Sequence, residues 1–259
     1  MQASTTDGGG TWTWGFALHQ YDRIGNSSGN TSINGKGSLS VPSGTVDLFG
    51  NSTSTTSFGI YNSTTAGDYS GEFVDWGNIN IGGYGKNYWR TLTEAEWQYV
   101  VGEDTYRHTG GTITIVDGSS TTVVLNSLCT KAHINGVSRD GFILFPDHYS
   151  GSTPSGVIWQ ANAISPGGMV NSDTDGWGAT LTGTAAWDAL EAEGCVFLPV
   201  SGLRQGSGVY NTTQGYYRMS DKNNYVLRFN DDGFDPNQTD FEGRFPFWGI
   251  AVRLVHEID

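Results

Sequence analysis

The stretch "WRTLTEAEWQYV", residues 89–100, decides how the rest of the chain is read. Thr93 is a good N-cap, and Glu96 three residues later completes a capping box. Leu92, one residue before the cap, can staple onto Trp97. Trp97, Val100 and Val101 share one face at i, i+3 and i+4 spacing, which predicts a helix anchored in the core by a tryptophan.

Downstream, "GTITIVDG" and "TTVVLN", within 111–126, read as strands joined at Asp117-Gly118, a hairpin signal. "GFILFPD" (141–147) reads as a short buried strand ended by Pro146. "TGTAAWDALEAEG" (182–194) predicts a second helix, capped by Thr182 or Thr184, stopped by Gly194, with Ala186, Trp187 and Leu190 inward. "CVFLPVSG" (195–202) is another buried strand, followed by "YYRMS", "NYVLRFN" and "GIAVRLV", three strands divided by polar, Gly-containing turns. In the last of these Ile250, Val252 and Leu254 alternate onto one face.

Upstream of the first helix the pattern is sparser. "WTWGFALHQYD" (12–22) reads as a strand entering a turn at Gly25-Asn26, and 25–45 as a Gly/Ser/Asn-rich loop. "TVDLFG" (45–50) and "GEFVDWG" (71–77) are short apolar segments separated by a polar loop. Two helices, roughly eight to ten short strands and long loops predict an α+β fold with segregated helices. Residues 1–85 are expected to contribute strands and loops to the same domain as residues 86–259.

Composition narrows the function classes. The 259 residues carry 38 Gly and only 15% charged side chains, while 13% aromatics, nine of them Trp, supply a core. The net charge of −13 opposes binding of nucleic acid. No apolar run reaches membrane-spanning length. Residues 1–10 are polar and Gly-rich, with neither signal nor anchor visible, and the chain starts as if trimmed from a longer precursor. Cys129 and Cys195 lack metal-ligand spacing and read as either a disulfide or two buried thiols. Asn-x-Ser/Thr triplets at Asn51, Asn62 and Asn211 are expected by chance in a chain so rich in these residues.

Taken in order, "VDLFG", "DWG", "WRTLTEAEWQYV", "GFILFPD", "WDALEAEGCVFLPVSGLR", "GYYRMS", "NYVLRFN", "DPN" and "GIAVRLV" resemble the C-type-lectin-fold domains common in gut Bacteroidetes surface proteins. The resemblance covers about residues 11–255. Some members of that family are variable proteins of diversity-generating retroelements, whose adenine-directed mutagenesis rewrites codons near the 3′ end of the gene. Asn, Tyr, Ser, Asp and Phe are typical products of such codons, and residues 216–248 are rich in them. Two departures fall in this stretch: Arg218 and Met219 stand where the family has Trp and its neighbour, and "RFPFWG" is longer than the family's spacing.

The resemblance implies a non-catalytic ligand-binding protein at a cell surface, secreted, or on a virion, with a fixed structural or adhesin domain that has no diversified site as an alternative. Its variable region would span about 215–250, and its ligand would be a protein or glycan on another cell, a host or a phage. The expected ligand-facing residues are Tyr217, Arg218, Ser220, Asp221, Lys222, Asn223, Asn224, Asp232, Phe234 and Asn237. Phe241, Phe245, Phe247 and Trp248 fit display and core equally.

Two other chemistries are weighed against this reading. "NDDGFDPNQTD" (230–240) clusters Asp231, Asp232, Asp235 and Asp240, oxygen ligands suited to Ca²⁺, yet the spacing is not that of an EF-hand and an Asx-rich turn explains it more simply. No cofactor is therefore expected. "WRTLTEAEWQYV" also resembles the corresponding helix of formylglycine-generating enzymes, which share the fold and need a late reactive cysteine pair. Here Cys195 sits in an apolar strand and no later cysteine follows.

Overall fold

The computed structural model describes residues 2–5, 13–16, 44–46, 48–49, 75–102, 108–116, 122–134, 137–149, 157–158, 164–165, 169–170, 180–181, 184–205, 208–220, 225–230, 233–235 and 248–258. Over these residues the chain has two helices and many short, mostly antiparallel strands, an α+β arrangement.

Helix α1 spans Glu94–Val101 and is built as its sequence dictates. The Thr93 hydroxyl accepts the Glu96 N–H at 3.2 Å, and the Glu96 carboxylate accepts the Thr93 N–H at 2.9 Å. Arg90 then clamps the same carboxylate with two N–H···O bonds of 2.7 and 2.6 Å. Gly102 ends the helix in the left-handed region at φ 67°, donating to the Gln98 carbonyl. The buried face is Trp97, Gln98 and Val101; Val100 and Leu92 are half-buried at the edge of the same core.

A five-stranded sheet forms the centre, in the spatial order Val196–Pro199, Val137–Leu144, Ser127–Ile134, Thr180–Leu181, Val157–Ile158. Its two long strands pair over all eight residues, from Ser127 opposite Leu144 to Ile134 opposite Val137. Only Asn135 and Gly136 separate them, so the strand expected over 141–147 begins earlier and belongs to a long hairpin. By contrast, Val116 pairs with Thr122, so five residues rather than Asp117-Gly118 alone join that smaller hairpin.

Alternation sends successive side chains of the central strands to opposite faces. One set, Leu128, Ala132, Ile134, Ile143 and Phe197, packs under Ala186, Trp187 and Leu190 of helix α2 (Thr184–Ala192). Thr184 thus lies within α2 rather than capping it, and Gly194 follows at φ 83°. The other set, Cys129, Phe142 and Leu198, packs under Trp97 and Val101 of α1 and under Tyr217, Met219, Leu227 and Phe229. The sheet is therefore buried on both faces, with one helix on each.

The segment 249–255 is not one strand but a seam between several partners. Gly249 exchanges backbone hydrogen bonds with Arg204 (2.7 and 2.8 Å), and Ile250 with Phe49 (2.8 and 2.9 Å). Ala251 accepts the Arg218 N–H at 3.0 Å, and Leu254–Val255 pairs with Arg90–Thr91. Ile250, Val252 and Leu254 are buried while Ala251, Arg253 and Val255 are half-exposed, as the alternation requires. Through Phe49, residues from the first fifth of the chain enter this core, where Trp14, Phe49 and Trp76 contact one another at ring-centroid distances of 5.1–5.6 Å.

The Arg90 fork holds the Glu96 carboxyl at about 2, well below its ordinary 4.5. A depressed carboxylate stabilises the fold above pH 4.5 and loses that contribution as pH falls toward 2. Glu96→Gln should lower stability by about 1 kcal/mol near neutrality, a figure kept small because the pair is partly solvent-exposed. In melting curves recorded from pH 6 to pH 2 the gap between wild type and variant should close. A gap of constant size would show that the pair does not govern the acid limb.

Candidate ligand-binding surface

The expected recognition region is built on three antiparallel strands, Gly215–Arg218, Val226–Asn230 and Gly233–Asp235. Tyr217 pairs with Leu227 and Arg218 with Val226, so the connection between the first two strands is residues 219–225. Phe229 pairs with Phe234 and Arg228 with Asp235 across the second turn.

Two of the expected ligand-facing residues are corrected by this arrangement. Tyr217 is only 5% exposed: its ring lies parallel to Phe229 at 6.0 Å, tilts against Trp97, and its hydroxyl donates to the Pro199 carbonyl at 2.8 Å. Arg218 is 1% exposed, with Nη2 donating to the Trp248 carbonyl at 2.6 Å, and its own carbonyl accepts the Trp97 indole N–H at 3.3 Å. The physical reason is that this strand is covered on both sides. Tyr216 packs with Leu203, Val226 and Ile250, while Tyr217 enters the core under α1. Polar and aromatic residues at the end of a short strand read as display from sequence, and nothing local signals a second covering layer.

The remaining candidates are placed as follows. Ser220 is half-buried, its N–H donating to the Leu92 carbonyl at 2.9 Å. Trp248, one of the four aromatics that fit core or display, is partly buried against the Leu203–Tyr216–Val226–Ile250 cluster. Phe234 is the middle residue of its strand. Asp221, Lys222, Asn223, Asn224, Asp232, Asn237, Phe241, Phe245 and Phe247 lie outside the described residues, as do Asp231 and Asp240 of the suggested calcium loop. Asp235, the other acid of that loop, lies at the end of its strand. Among the described residues no three His, Cys, Asp or Glu side chains gather in a metal-binding group.

Buried polar anchors support the base of the region. Arg204, 2% exposed, donates from Nη2 to the Leu48 carbonyl, and its side chain occupies the space where a Gly249 Cβ would come within 2.9 Å. Arg204 and Arg218 thus each tie a loop carbonyl to a core strand. Sequence reasoning missed both; the one available hint is an arginine placed inside an apolar strand beside glycines. Asp75 plays a similar part for "DWG", accepting the Gly77 N–H at 2.9 Å and both the N–H and the hydroxyl of Thr91.

Both cysteines are buried free thiols. Burial, with Glu193 nearby, pushes the Cys195 thiol up to about 12, so at neutral pH it is protonated and a poor nucleophile. No helix among the described residues is long and apolar enough to cross a membrane.

Comparison with protein-family models, with curated proteins and with solved structures gave no significant match to this chain.

Tyr217→Ala should cost about 3–5 kcal/mol, as for other large buried aromatics, and Tyr217→Phe about 1 kcal/mol for the lost bond to Pro199. Urea unfolding monitored by tryptophan fluorescence checks both; an unchanged midpoint for Tyr217→Ala would place the ring at the surface. Native protein should react with a thiol-specific disulfide reagent at pH 8 far more slowly than urea-unfolded protein. Equal rates would mean that neither cysteine is buried.

Proposed function

We propose that this protein is a non-catalytic ligand-binding protein of C-type lectin fold, diversified at its carboxy-terminal connections by a retroelement while the scaffold is unchanged. One observation carries the reading. The connection 219–225 leaves and re-enters strands held in the core, by Tyr217, Arg218 and Met219 on one side and by Val226, Leu227 and Phe229 on the other, and the connection 236–248 re-enters the core at Ile250 and Val252. Such ends tolerate changed side chains between them, and a rigid base lowers the entropy lost on binding.

The ligand-facing set is therefore Ser220, Asp221, Lys222, Asn223, Asn224, Asp232, Phe234, Asn237, Phe241, Phe245 and Phe247, with Trp248 at the base and without Tyr217 and Arg218. Aromatic anchors beside short, adaptable polar side chains form the palette of evolved recognition loops. A protein or glycan on another cell, a host or a phage is the proposed ligand, and a cell surface or virion the proposed location. An enzyme of the formylglycine-generating kind would need a reactive thiolate, which the environment of Cys195 opposes.

Sequencing the locus across clonal isolates tests the reading. Amino-acid changes should concentrate in 220–224 and 231–247, at codons containing adenines in a nearby template repeat adjoining a reverse transcriptase gene. Codons for Phe229, Ile250, Val252 and Leu254 should be invariant. Substitutions spread evenly along the gene, with no template repeat, would defeat the proposal.

A further inference from the structure

Residues 80–88, "NIGGYGKNY", carry no recognisable motif, yet they build an unusual surface. Tyr84 and Tyr88 stack at 4.8 Å with 18° between their planes, and Tyr88 stacks on His256 at 4.9 Å and 24°. Trp89 stands edge-on to all three rings, at 5.6, 5.1 and 4.6 Å, and Phe16 contacts Trp89 from behind at 4.8 Å. The outcome is a column of parallel rings backed by a tryptophan. Its end member Tyr84 and its middle member Tyr88 are open to solvent, at 57% and 42% exposure.

The column is held rather than loosely draped. Gly82, Gly83, Gly85 and Asn87 all take positive φ. The loop is pinned by Gly82 N–H to the Trp14 carbonyl (2.9 Å), by Asn87 N–H to the Gly77 carbonyl (2.7 Å) and by Gly85 N–H to the Asn80 side chain (3.2 Å). Rings pre-set in this way lose little freedom when something lands on them.

The chemistry selects among occupants. A polyanion is opposed by the net charge of −13. A quaternary ammonium calls for rings arranged around it as a cage, whereas these rings are stacked parallel. An added peptide strand needs a row of free backbone donors, and those of Gly82, Tyr84, Gly85 and Asn87 are already used. A pyranose ring fits: its C–H face matches the electron-rich face of an aromatic ring. Its hydroxyls need neutral hydrogen-bonding groups, and the same loop exposes two tyrosine hydroxyls, Asn80 and Asn87.

We propose that the Tyr84–Tyr88–His256 column is a binding platform for a neutral glycan, with a pyranose ring seated on the outer face of Tyr84. The platform shares no residue with 220–248 and does not depend on the reading given for that region.

Native electrophoresis of the full chain through gels cast separately with dextran, mannan or arabinoxylan tests it. At least one polysaccharide should retard the protein. Tyr84→Ala should weaken the retardation about tenfold or more without shifting the melting temperature, and Tyr84→Trp should retain it. Absence of retardation in all three gels, or retardation indifferent to Tyr84→Ala, overturns the proposal. So does a concentration-dependent dimer of the wild type, seen by sedimentation and lost in Tyr84→Ala, because the column would then be covered by a second copy of the chain.

Discussion

The backbone of residues 249–255 is the constraint on which the remaining structure depends. Within seven residues it bonds to Arg204, Phe49, the Tyr217–Arg218 strand and Arg90–Thr91. Each of these lies in a different part of the chain, and each is tied at the same time to the main core or to a buried side-chain anchor. A segment that satisfies its backbone groups on several partners cannot shift register toward one without breaking with the others. This is why a stretch that follows so polar a sequence can still have its apolar side chains buried.

The two buried arginines follow from the same constraint. A charge deep in a protein is costly unless hydrogen-bonded, and Arg204 and Arg218 direct their guanidinium groups at the carbonyls of Leu48 and Trp248. Leu48 directly precedes Phe49 and Trp248 directly precedes Gly249, so both carbonyls sit beside the isolated bridges of the seam. The arginines therefore act as struts between the core and the seam, a duty for which the fixed planar fork of arginine is better suited than a lysine.

What could be read in advance was whatever rests on local rules. The capping box of Thr93 and Glu96, the inward triad Ala186, Trp187 and Leu190, and the alternation of Ile250, Val252 and Leu254 all depend on residues a few positions apart. The long hairpin over 127–144 went unread: its one local signal is Asn135-Gly136, and its strands mix polar and apolar residues in a sheet that is covered on both faces. The burial of Tyr217 and Arg218 was not legible, because it is caused by Trp97, Pro199 and Trp248, all remote in the chain. The ring column likewise joins Tyr84 and Tyr88 to His256 and Phe16, which no local pattern brings together.

The tie between the Trp97 indole and the Arg218 carbonyl spans 121 residues, and that between Arg204 and Leu48 spans 156. Closing such wide loops is an entropic toll levied before any packing rewards it. Contacts this remote slow folding, and until they close the apolar edges of a chain stand open to other chains. Once the seam has shut, the same remoteness of contacts works in the opposite direction: opening it requires distant parts of the chain to separate together.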